Sequence, residues 1–263
     1  MIIVSTSTHF GFDDRTTVLP KKVFNFPCGE THVKLDFTNC DSANVDVEFV
    51  FENVNEIVEL LLVCDAIKRS WRIVNTLNIP YVPFARQDRI NVSGEAFSLA
   101  VFADLINGIG ANEVVVTDPH SDVVPALIKN CKVIHQHEVF APLLKDKKDF
   151  WIISPDAGSL KKIYKLAAIV DCAGVIECSK NRDVKTGEIT GTVVHTDDLQ
   201  GKDCIILDDI IDGGKTFIEI AKVLRTKNCS KVVLAATHGF FTKGIGVFEG
   251  LVDEIYTRSG RVK

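Results

Sequence analysis

The chain has 263 residues, of which 46% are hydrophobic, so it can form one large α/β domain or two domains of roughly 130 residues each. Its formal net charge is −5, which excludes a chain-wide basic field of the kind that attracts nucleic acid or an anionic membrane. Any binding of phosphate must therefore depend on local cations. We predict a protein that binds neither nucleic acid nor membranes.

The eight cysteines include no CxxC pair, and no cluster of histidines has zinc-finger spacing. They are typical of reduced, mostly buried thiols. The first ten residues, MIIVSTSTHF, lack a basic region followed by a long apolar core, and no stretch of the sequence reaches about 18 apolar residues. These features predict a cytoplasmic protein.

Strand-like apolar runs alternate with helix-like segments along the chain. Several runs are continuous, as in strands buried on both faces of a parallel sheet, and the helical segments repeat apolar residues at a spacing near 3.6. This order predicts a doubly wound α/β architecture. The predicted strands are 2–5, 47–51, 59–64, 114–117, 151–154, 174–177, 204–207 and 232–236, and the predicted helices are 70–79, 96–110, 159–170 and 217–228.

The charged segment KDKKD, residues 145–149, is the best candidate for a domain boundary because of its charge density. We therefore predict an N-terminal domain over residues 1–146 and a C-terminal domain over residues 147–263. Each half offers a strand followed by an acid-bearing loop, TDPH in the first and SPDAG in the second, which permits two similar folds.

The first polar motif follows the strand-like segment YVPFA. Two guanidinium groups, Arg86 and Arg89, flank Gln87 and Asp88. Arginine forks suit phosphate oxygens, and Gln or Asp can read the edge of a purine. The motif indicates a nucleotide site, and the alternative is a solvated, charged turn.

The second motif, Thr117-Asp118-Pro119-His120, ends the predicted strand EVVVT. Side chains at the carboxyl end of a parallel strand can reach the crevice in which α/β sheets bind ligands. Mg²⁺ prefers oxygen ligands, and a neutral imidazole can complete its shell or bind a phosphate. By itself, a DxH motif is more often structural than functional.

The third motif, residues 154–159 (SPDAGS), again has the order strand, turn, helix. Asp156 could ligate a metal, and the amides from Ala157 to Ser159 could receive a pyrophosphate at the helix start. The alternative is an N-capping motif in which Asp156 or Ser159 is the cap.

The fourth motif is Lys180-Asn181-Arg182, in the polar stretch SKNRDVKTGEITG. This stretch is typical of a β-flap or a mobile loop. Two cations one residue apart could close over a phosphoryl group during transfer. Charges in a solvated hairpin are the alternative.

Residues 204–217, CIILDDIIDGGKTF, carry the most information. An apolar run ends in Asp208 and Asp209, Asp212 follows, and two glycines lead to Thr216 and an amphipathic segment. Glycines let the backbone turn tightly and expose N–H groups to an anion at the following helix N-terminus. The acids can accept hydrogen bonds from sugar hydroxyls or hold Mg²⁺. The pattern indicates a site for a phosphorylated ribose, with an ordinary βα turn as the alternative.

These motifs, taken in chain order, resemble those of ribose-phosphate pyrophosphokinases, also called phosphoribosyl pyrophosphate synthetases. The resemblance implies an α/β fold of two phosphoribosyltransferase-like domains, each a mainly parallel sheet flanked by helices, with the active site between them. It also implies a homo-oligomer in which a neighbouring subunit lends part of the ATP pocket. It extends from about residue 20 to about residue 257, through FPCGETHVK, PYVPFARQDR, GANEVVVTDPHS, ISPDAGS, SKNR, DDIIDGGKT and ATHGFF.

The resemblance implies a donor site for ATP with Mg²⁺. Phe26 and Glu30 match the family's adenine-contacting segment. His120 and Asp156 would hold Mg²⁺ sites that bridge the ATP phosphates and the acceptor, with Asp118 close by. The nucleotide-binding residues implied are Phe26, Glu30, Arg86, Gln87, Asp88 and His120.

The resemblance also implies the transfer and acceptor groups. Lys180 and Arg182 match the catalytic Lys and Arg of the family's flexible loop, which neutralise charge on the transferring group. Asp208 and Asp209 would engage the ribose hydroxyls. The acceptor's 5-phosphate would be held by Asp212, Gly213, Gly214, Lys215 and Thr216.

The reaction implied by the resemblance is diphosphoryl transfer. The 1-hydroxyl of ribose 5-phosphate attacks the β-phosphorus of Mg·ATP, AMP leaves, and phosphoribosyl pyrophosphate forms. Positioning and charge neutralisation would supply most of the catalysis.

The chain departs from the family's usual pattern in three places. It is shorter and lacks much of the usual C-terminal segment, so phosphate activation and ADP inhibition are not expected. The segment FPCGE lacks the acid that relatives commonly carry between Phe and Gly. The usual loop DTGGT is here Asp212-Gly213-Gly214-Lys215-Thr216, so Gly213 removes a hydroxyl and Lys215 adds a cation.

Because of the altered loop, the sequence is compatible with two different acceptors. Ribose 5-phosphate is the first expectation, because a terminal phosphate is well served by a ring of amides and hydroxyls. ADP-ribose, whose product would serve NAD rebuilding, is the second, because a pyrophosphate needs an open loop and favours an added ammonium such as that of Lys215. The alternative is that Lys215 points into solvent.

Two other protein classes remain. A phosphoribosyltransferase shares the DDIIDGGKT type of loop but is not expected to carry ARQDR, TDPH and SKNR together. A non-catalytic regulatory subunit of the same fold does not need transfer-loop cations such as Lys180 and Arg182. Both rank below the pyrophosphokinase.

Overall fold

The structure is a computed structural model that describes residues 2–6, 17–182 and 189–263, and the side chains of residues 3–6, 17–179 and 191–263. The chain forms two compact units, residues 1–134 and 135–263, and each has its own sheet. Within the described residues, no helix combines the length and the apolar character that crossing a membrane requires.

The N-terminal unit is built on a six-stranded sheet in the order β2-β1-β5-β6-β7-β8, and every neighbouring pair in this sheet is parallel. Strands β3 and β4 form a separate antiparallel hairpin. The strands are β1 (Ile2–Ser5), β2 (Thr17–Val18), β3 (Lys21–Asn25), β4 (Thr31–Leu35), β5 (Asn44–Glu48), β6 (Ile73–Ile79), β7 (Glu113–Thr117) and β8 (Cys131–Ile134), and the helices are α1 (Asn55–Arg69), α2 (Ser98–Ile109) and α3 (Val124–Leu127).

The predicted strand at 59–64 is wrong, because these residues lie inside helix α1. The run ELLLVC is continuously apolar, but the residues that α1 buries include Ile57, Leu60, Cys64 and Ile67, which are spaced by three or four positions. That spacing places them on one helical face against the sheet. A short apolar run cannot by itself distinguish a buried strand from a buried helix.

The predicted helix at 70–79 is also wrong, because its second part is strand β6 between β5 and β7. Val74, Leu77 and Ile79 are buried. The polar residues in between are satisfied by acids of β5: Asn75 Nδ2 donates to Asp46 Oδ1 at 3.0 Å, and Asn78 pairs with Glu48. These tertiary contacts override the local helical spacing.

The C-terminal unit is a seven-stranded sheet in the order β11-β10-β9-β12-β13-β14-β15. Its central pairs are parallel, and antiparallel pairs lie at the two edges. The elements are α4 (Gln136–Leu144), β9 (Trp151–Ser154), α5 (Leu160–Ala167), β10 (Gly174–Arg182), β11 (Ile189–Val194), β12 (Cys204–Ile211), α6 (Lys215–Thr226), β13 (Val232–Gly239), a 3₁₀ turn (Ile245–Phe248), β14 (Glu254–Thr257) and β15 (Gly260–Arg261).

Helices cover both faces of this second sheet. Ile205 of β12 packs in one cluster with Phe140 of α4 and Ile163 of α5, whereas the next residue, Ile206, packs in another cluster with Ile220 of α6. The alternation follows from the two-residue period of a strand. Because β9 and β12 pair in parallel, their carboxyl ends lie side by side at the same end of the sheet.

The structure divides the chain between Ile134 and His135 rather than between residues 146 and 147. The reason is helix α4, whose Phe140 and Leu144 are buried in the core of the C-terminal unit. The charged segment 145–149 is therefore a connection within that unit, between α4 and β9.

Candidate active site

Strand β12 carries both acids of the ribose-phosphate motif. It runs from Cys204 to Ile211, so Asp208 and Asp209 lie within the strand, and helix α6 begins at Lys215. The turn between them is only residues 212–214. The predicted order of strand, glycine turn and helix is present, and the N–H groups of the first turn of α6 are the donors that such an end offers to an anion.

Gly214 is required by the backbone and by packing. It precedes α6 with φ of +79°, a left-handed conformation that favours glycine. A Cβ on this residue would lie 2.5 Å from Cζ of Phe248, a buried ring in the 3₁₀ turn. The turn at 212–214 therefore packs directly against Phe248, and this packing fixes the position of the turn at the end of β12.

We expect Gly214→Ala to lower the free energy of unfolding by about 2–4 kcal/mol, through backbone strain and the clash with Phe248. Urea unfolding followed by circular dichroism measures it. The matched control is Gly213→Ala, since Gly213 has no positive φ and its Cβ would lie 3.6 Å from the nearest described atom, Cε of Lys243. Equal losses in the two variants would contradict the assignment.

Asp208 lies in a cluster of acids at the carboxyl ends of β9 and β12. Its Oδ1 accepts the backbone N–H of Asp209 at 2.9 Å. The hydroxyl of Ser159 is 3.4 Å from Asp208 Oδ1 and 3.3 Å from Asp156 Oδ1, and it can donate to one of them at a time. This hydroxyl connects the SPDAGS turn to β12.

Burial raises the pKa of Asp208 well above its ordinary value, and the negative charges of Asp209 and Asp156 add to the effect. A carboxylate that is disfavoured in the unliganded protein gains more from a ligand that donates hydrogen bonds or brings positive charge. Ribose hydroxyls and a cation are both such ligands.

Asp209 forms an ion pair with a lysine of helix α5. Its carboxylate is buried, and Oδ2 lies 3.8 Å from Nζ of Lys162 on α5. The ion pair connects β12 to the helix that follows the SPDAGS turn. The two adjacent acids therefore have different environments, one beside a lysine and the other beside a second carboxylate.

Asp156 organises its own turn. Oδ1 accepts the backbone N–H of Gly158 at 3.0 Å and of Ser159 at 3.3 Å. Ser159, the residue that precedes α5, makes no side-chain capping bond. Asp156 thus closes the turn that precedes α5, and its Oδ2 has no hydrogen-bond partner among the described residues.

The oxygen donors of this cluster fit Mg²⁺. Asp156 is exposed, and carboxylate oxygens are the hard ligands that Mg²⁺ takes, usually one or two together with substrate phosphates. Within the described part of the chain, no three or more His, Cys, Asp and Glu side chains converge to hold a metal by themselves. His120, the other predicted ligand, belongs to the N-terminal unit.

In the N-terminal unit, the ARQDR motif lines a cleft of about 530 Å³, a volume within the range of ligand sites. Arg86, Gln87 and Arg89 are exposed in it. Two backbone N–H groups, those of Asn91 and Val92, donate to Glu95 Oε2 at 2.8 and 3.2 Å and close the next turn. The cleft is lined by Arg86, Gln87, Asp88, Arg89, Asn91, Glu95, Ala96 and Ser98.

Asp88 is held by two neighbours. Arg89 Nε donates to Oδ1 at 2.7 Å and Nη2 to Oδ2 at 3.1 Å, and Ser121 Oγ donates to Oδ2 at 2.6 Å. These bonds, that of Arg89 first and that of Ser121 second, lower the pKa of Asp88 to about 2. Ser121 directly follows His120, so Asp88 connects the ARQDR turn to the TDPH turn.

We expect Ser121→Ala to lower the free energy of unfolding at neutral pH by about 1–2 kcal/mol, the usual cost of losing a hydrogen bond to a charged group. Because the pKa of Asp88 is depressed, this stability is present above pH 4 and is lost as the pH falls from about 4 to about 2. Urea unfolding between about pH 2 and pH 7, a range that covers this window, tests it. Ser121→Thr, which keeps the hydroxyl, is the control, and a pH-independent loss would contradict the role of Asp88.

The TDPH turn ends strand β7, as predicted. Asp118 is buried, has φ of +42°, and donates its backbone N–H to the carbonyl of Ile134 at 2.7 Å. His120 is exposed. The turn therefore presents the imidazole of His120 at the surface and keeps Asp118 inside.

Phe26 and Glu30 lie at the tip of the β3–β4 hairpin. The backbone N–H of Phe26 donates to the carbonyl of Glu30 at 2.8 Å, and the N–H of Gly29 donates to the carbonyl of Phe26 at 2.8 Å. The Phe26 ring is 46% exposed and contacts Phe24 edge to face at 5.1 Å. An exposed ring on a hairpin tip is available to stack on a base.

The backbone places Lys180 and Arg182 on strand β10, paired with Thr192 and Ile189 of β11. The predicted β-flap is thus an antiparallel hairpin. The side chains of Lys180 and Arg182 lie outside the described residues. At the base of the hairpin, Ser179 Oγ and His195 Nε2 are hydrogen-bonded at 2.9 Å.

Family models match most of the chain. A model of the N-terminal domain of ribose phosphate pyrophosphokinase matches residues 13–110, and a model of the phosphoribosyl transferase domain matches residues 124–247. The ribose-phosphate pyrophosphokinase of Corynebacterium efficiens is 32% identical over 236 residues, which are 88% of this chain and 72% of that protein. The chain belongs to the ribose-phosphate pyrophosphokinase family. The family that the sequence motifs indicated is thereby confirmed.

Other members of this enzyme family give similar values. The ribose-phosphate pyrophosphokinase of Mycoplasma genitalium is 32% identical over 226 residues, 82% of this chain and 66% of that protein. That of Saccharolobus solfataricus is 29% identical over 247 residues, 90% of this chain and 84% of that protein. The chain therefore spans between 66% and 84% of the lengths of these three relatives.

A solved structure confirms the fold class. The crystal structure of phosphoribosylpyrophosphate synthetase from Mycobacterium smegmatis matches 97% of this chain and 87% of its own, with a TM-score of 0.75 and 22% identity. At this identity the likeness concerns the fold alone. The fold is α/β, with two phosphoribosyltransferase-type domains.

Sequence reasoning missed several residues of the site. Ser121 could have been suspected, because it directly follows the TDPH motif. Lys162, Thr242 and Phe248 carry no local signal, since each acts on a motif far away in the sequence. Their contribution becomes visible only in the folded chain.

Proposed function

We propose that this member of the ribose-phosphate pyrophosphokinase family transfers the β,γ-diphosphoryl group of ATP to the 1-hydroxyl of ribose 5-phosphate. The hydroxyl oxygen forms a bond to the β-phosphorus, the bond from that phosphorus to the bridging oxygen of AMP breaks, and the hydroxyl proton is released to solvent. The products are phosphoribosyl pyrophosphate and AMP. The observation that carries the proposal is the pair Asp208 and Asp209 near the end of β12, followed by the glycine turn at 212–214 and the N-terminus of α6.

On the donor side, the cleft beside the ARQDR turn supports ATP binding. Arg86 and Gln87 are exposed in it and can bind phosphate oxygens and the purine edge. Asp88 keeps the turn attached to Ser121. The exposed Phe26, with Glu30, would contact the adenine, as the family resemblance implies.

On the acceptor side, Asp208 and Asp209 would accept hydrogen bonds from the ribose hydroxyls. The turn at 212–214 and the first residues of α6, Lys215 and Thr216, would hold the 5-phosphate through backbone N–H groups and side chains. This arrangement holds the sugar between its hydroxyls and its phosphate and orients the 1-hydroxyl for attack.

Asp156 and His120 would hold Mg²⁺, which neutralises charge on the ATP phosphates when it is bound. Asp156 keeps Oδ2 without a hydrogen-bond partner among the described residues, so this oxygen can serve as a ligand. Lys180 and Arg182 of the flap would neutralise the charge that develops on the diphosphoryl group during transfer.

ADP-ribose is the second candidate acceptor. Lys215 is exposed at the start of α6, and within the described part of the chain no carboxylate pairs with it. An unpaired ammonium beside a phosphate turn favours an acceptor that continues into a second phosphate. A homo-oligomer and a cytoplasmic location stay predictions.

The test is to incubate the full chain with Mg·ATP and either ribose 5-phosphate or ADP-ribose, and to follow AMP release and product mass. AMP with ribose 5-phosphate supports the first acceptor, and AMP with ADP-ribose alone supports the second. An added mass of one diphosphoryl group on the acceptor distinguishes transfer from ATP hydrolysis. Absence of AMP with both acceptors would reject the proposal.

A further inference from the structure

Lys243 lies against the phosphate turn although it is 30 positions beyond Gly213 in the sequence. A Cβ on Gly213 would lie 3.6 Å from Lys243 Cε and 3.7 Å from Cδ. The aliphatic stem of the lysine therefore lies close beside the glycine, at the distance where it would touch a side chain at this position. Lysine stems commonly pack in this way and leave the ammonium in water.

The segment that carries Lys243 is fixed to the same turn by hydrogen bonds. Thr242 Oγ1 donates to Asp212 Oδ1 at 2.7 Å, and the backbone N–H of Phe240 donates to the carbonyl of Ile211 at 2.8 Å. The N–H of Gly244 closes a turn on the carbonyl of Phe241 at 2.7 Å. The position of Lys243 beside Gly213 thus follows from backbone and side-chain bonds on both sides of it.

The ammonium of Lys243 is available for a ligand. Lys243 is exposed, and no residue that the structure describes forms a hydrogen bond or an ion pair with its side chain. The same holds for Lys215 at the first position of α6. Two lysines without anionic partners therefore border one glycine turn at a helix N-terminus, the kind of place where proteins bind phosphate.

We propose that Lys243 is a specificity-determining residue that binds oxygens of the phosphate attached to the acceptor's ribose C5. With Lys215 it places two cations beside the glycine turn, one at the start of α6 and one on the segment that Thr242 attaches to Asp212. The inference rests on the proposed function, in that residues 212–216 hold the acceptor phosphate. The ligand is a ribose 5-phosphate group, either terminal or continued as a pyrophosphate.

The experiment measures acceptor affinity by calorimetric titration of the full chain with ribose 5-phosphate and, separately, with ADP-ribose. Lys243→Met keeps the stem over Gly213 and removes the charge. We expect it to raise the acceptor Kd about tenfold, the size of one charge-assisted hydrogen bond. Lys243→Arg should keep most of the affinity, and ATP affinity should not change.

Two further measurements make the outcome specific. Lys165→Ala removes an exposed lysine in the last turn of α5 and should leave the acceptor Kd unchanged. Raising the salt concentration should shrink the difference between wild type and Lys243→Met, because salt screens an exposed charge. A purely structural role of Lys243 would not show this dependence.

The two acceptors distinguish the source of the phosphate. If Lys243→Met loses the same affinity for both acceptors, Lys243 binds the 5-phosphate itself. If it loses more affinity for ADP-ribose, Lys243 binds the second phosphate. An unchanged Kd for both acceptors in Lys243→Met, with wild type binding normally, overturns the role of Lys243 alone. Failure of wild type to bind either acceptor overturns the proposed function and this inference with it.

Discussion

Lys180→Ala is expected to lower turnover by a factor of about 10²–10³, because a cation that acts only on the transition state contributes to the rate and not to ground-state binding. Strand β10 carries Lys180 in the hairpin with β11. Nucleotide affinity should change little. Initial rates of AMP formation at saturating substrates, with ATP binding measured separately, separate the two effects.

A control on the same strand tests whether loosening the β10–β11 hairpin would by itself lower turnover. Ser179→Ala removes the hydrogen bond to His195 at the base of the hairpin and leaves Lys180 in place. We expect turnover to remain within a few-fold of wild type in this variant. Unchanged turnover in Lys180→Ala would remove Lys180 from the mechanism, and equal losses in both variants would assign the effect to the hairpin.

Asp208→Asn is expected to have opposite effects on stability and function. It removes a carboxylate that is disfavoured by burial and by the charges of Asp209 and Asp156, so the free energy of unfolding at neutral pH should rise by roughly 0.5–2 kcal/mol. The new amide can still accept the N–H of Asp209. Affinity for the acceptor should fall by a factor on the order of 10–100, because hydrogen bonds to a charged group are lost.

The pH dependence of the free energy of unfolding tests whether the charge of Asp208 causes the gain in stability of Asp208→Asn. The pKa of Asp208 is raised, so the folded protein holds the proton more tightly than the unfolded chain, and wild type loses stability as the pH rises from the ordinary Asp range through the raised pKa. The advantage of Asp208→Asn should therefore vanish near pH 4 and grow with pH. Chemical unfolding from pH 4 to 8 measures it.

Asp209→Asn is the matched control on the adjacent residue. Asp209 faces Lys162 at 3.8 Å, so removing its charge also removes an ion pair. We expect no comparable gain in stability at neutral pH. A stability equal to or below that of wild type for Asp208→Asn at pH 8 would refute the assignment of charge repulsion to Asp208.

Local sequence patterns succeed where one element and its turn act together. In residues 204–226, the apolar run, the glycines and the amphipathic segment follow one another, and strand β12 and helix α6 have that order. The acids at 208 and 209 could therefore be assigned to the carboxyl end of a strand without any tertiary information. Parallel strands place such ends at one edge of a sheet.

The same patterns fail where two readings of an apolar run compete. Residues 59–64 form part of α1, and residues 73–79 form β6, the reverse of what the sequence predicted. The packing of apolar residues against the sheet determines that residues 55–69 form helix α1, and hydrogen bonds to β5 and β7 determine that residues 73–79 form strand β6. Both kinds of contact involve residues that are distant in the sequence.

The sequence by itself determined the family and the chemistry of the motifs, because ARQDR, TDPH, SPDAGS, SKNR and DDIIDGGKT are each a contiguous run whose residue types suit nucleotide, metal or phosphate. Only the tertiary structure decided how the motifs are supported. Phe248 lies beside Gly214, Lys243 beside Gly213 and Ser121 beside Asp88, and in each case the two residues are about 30 positions apart in the sequence. Such contacts depend on how strands and turns assemble, and packing and hydrogen-bond geometry set them rather than any local preference.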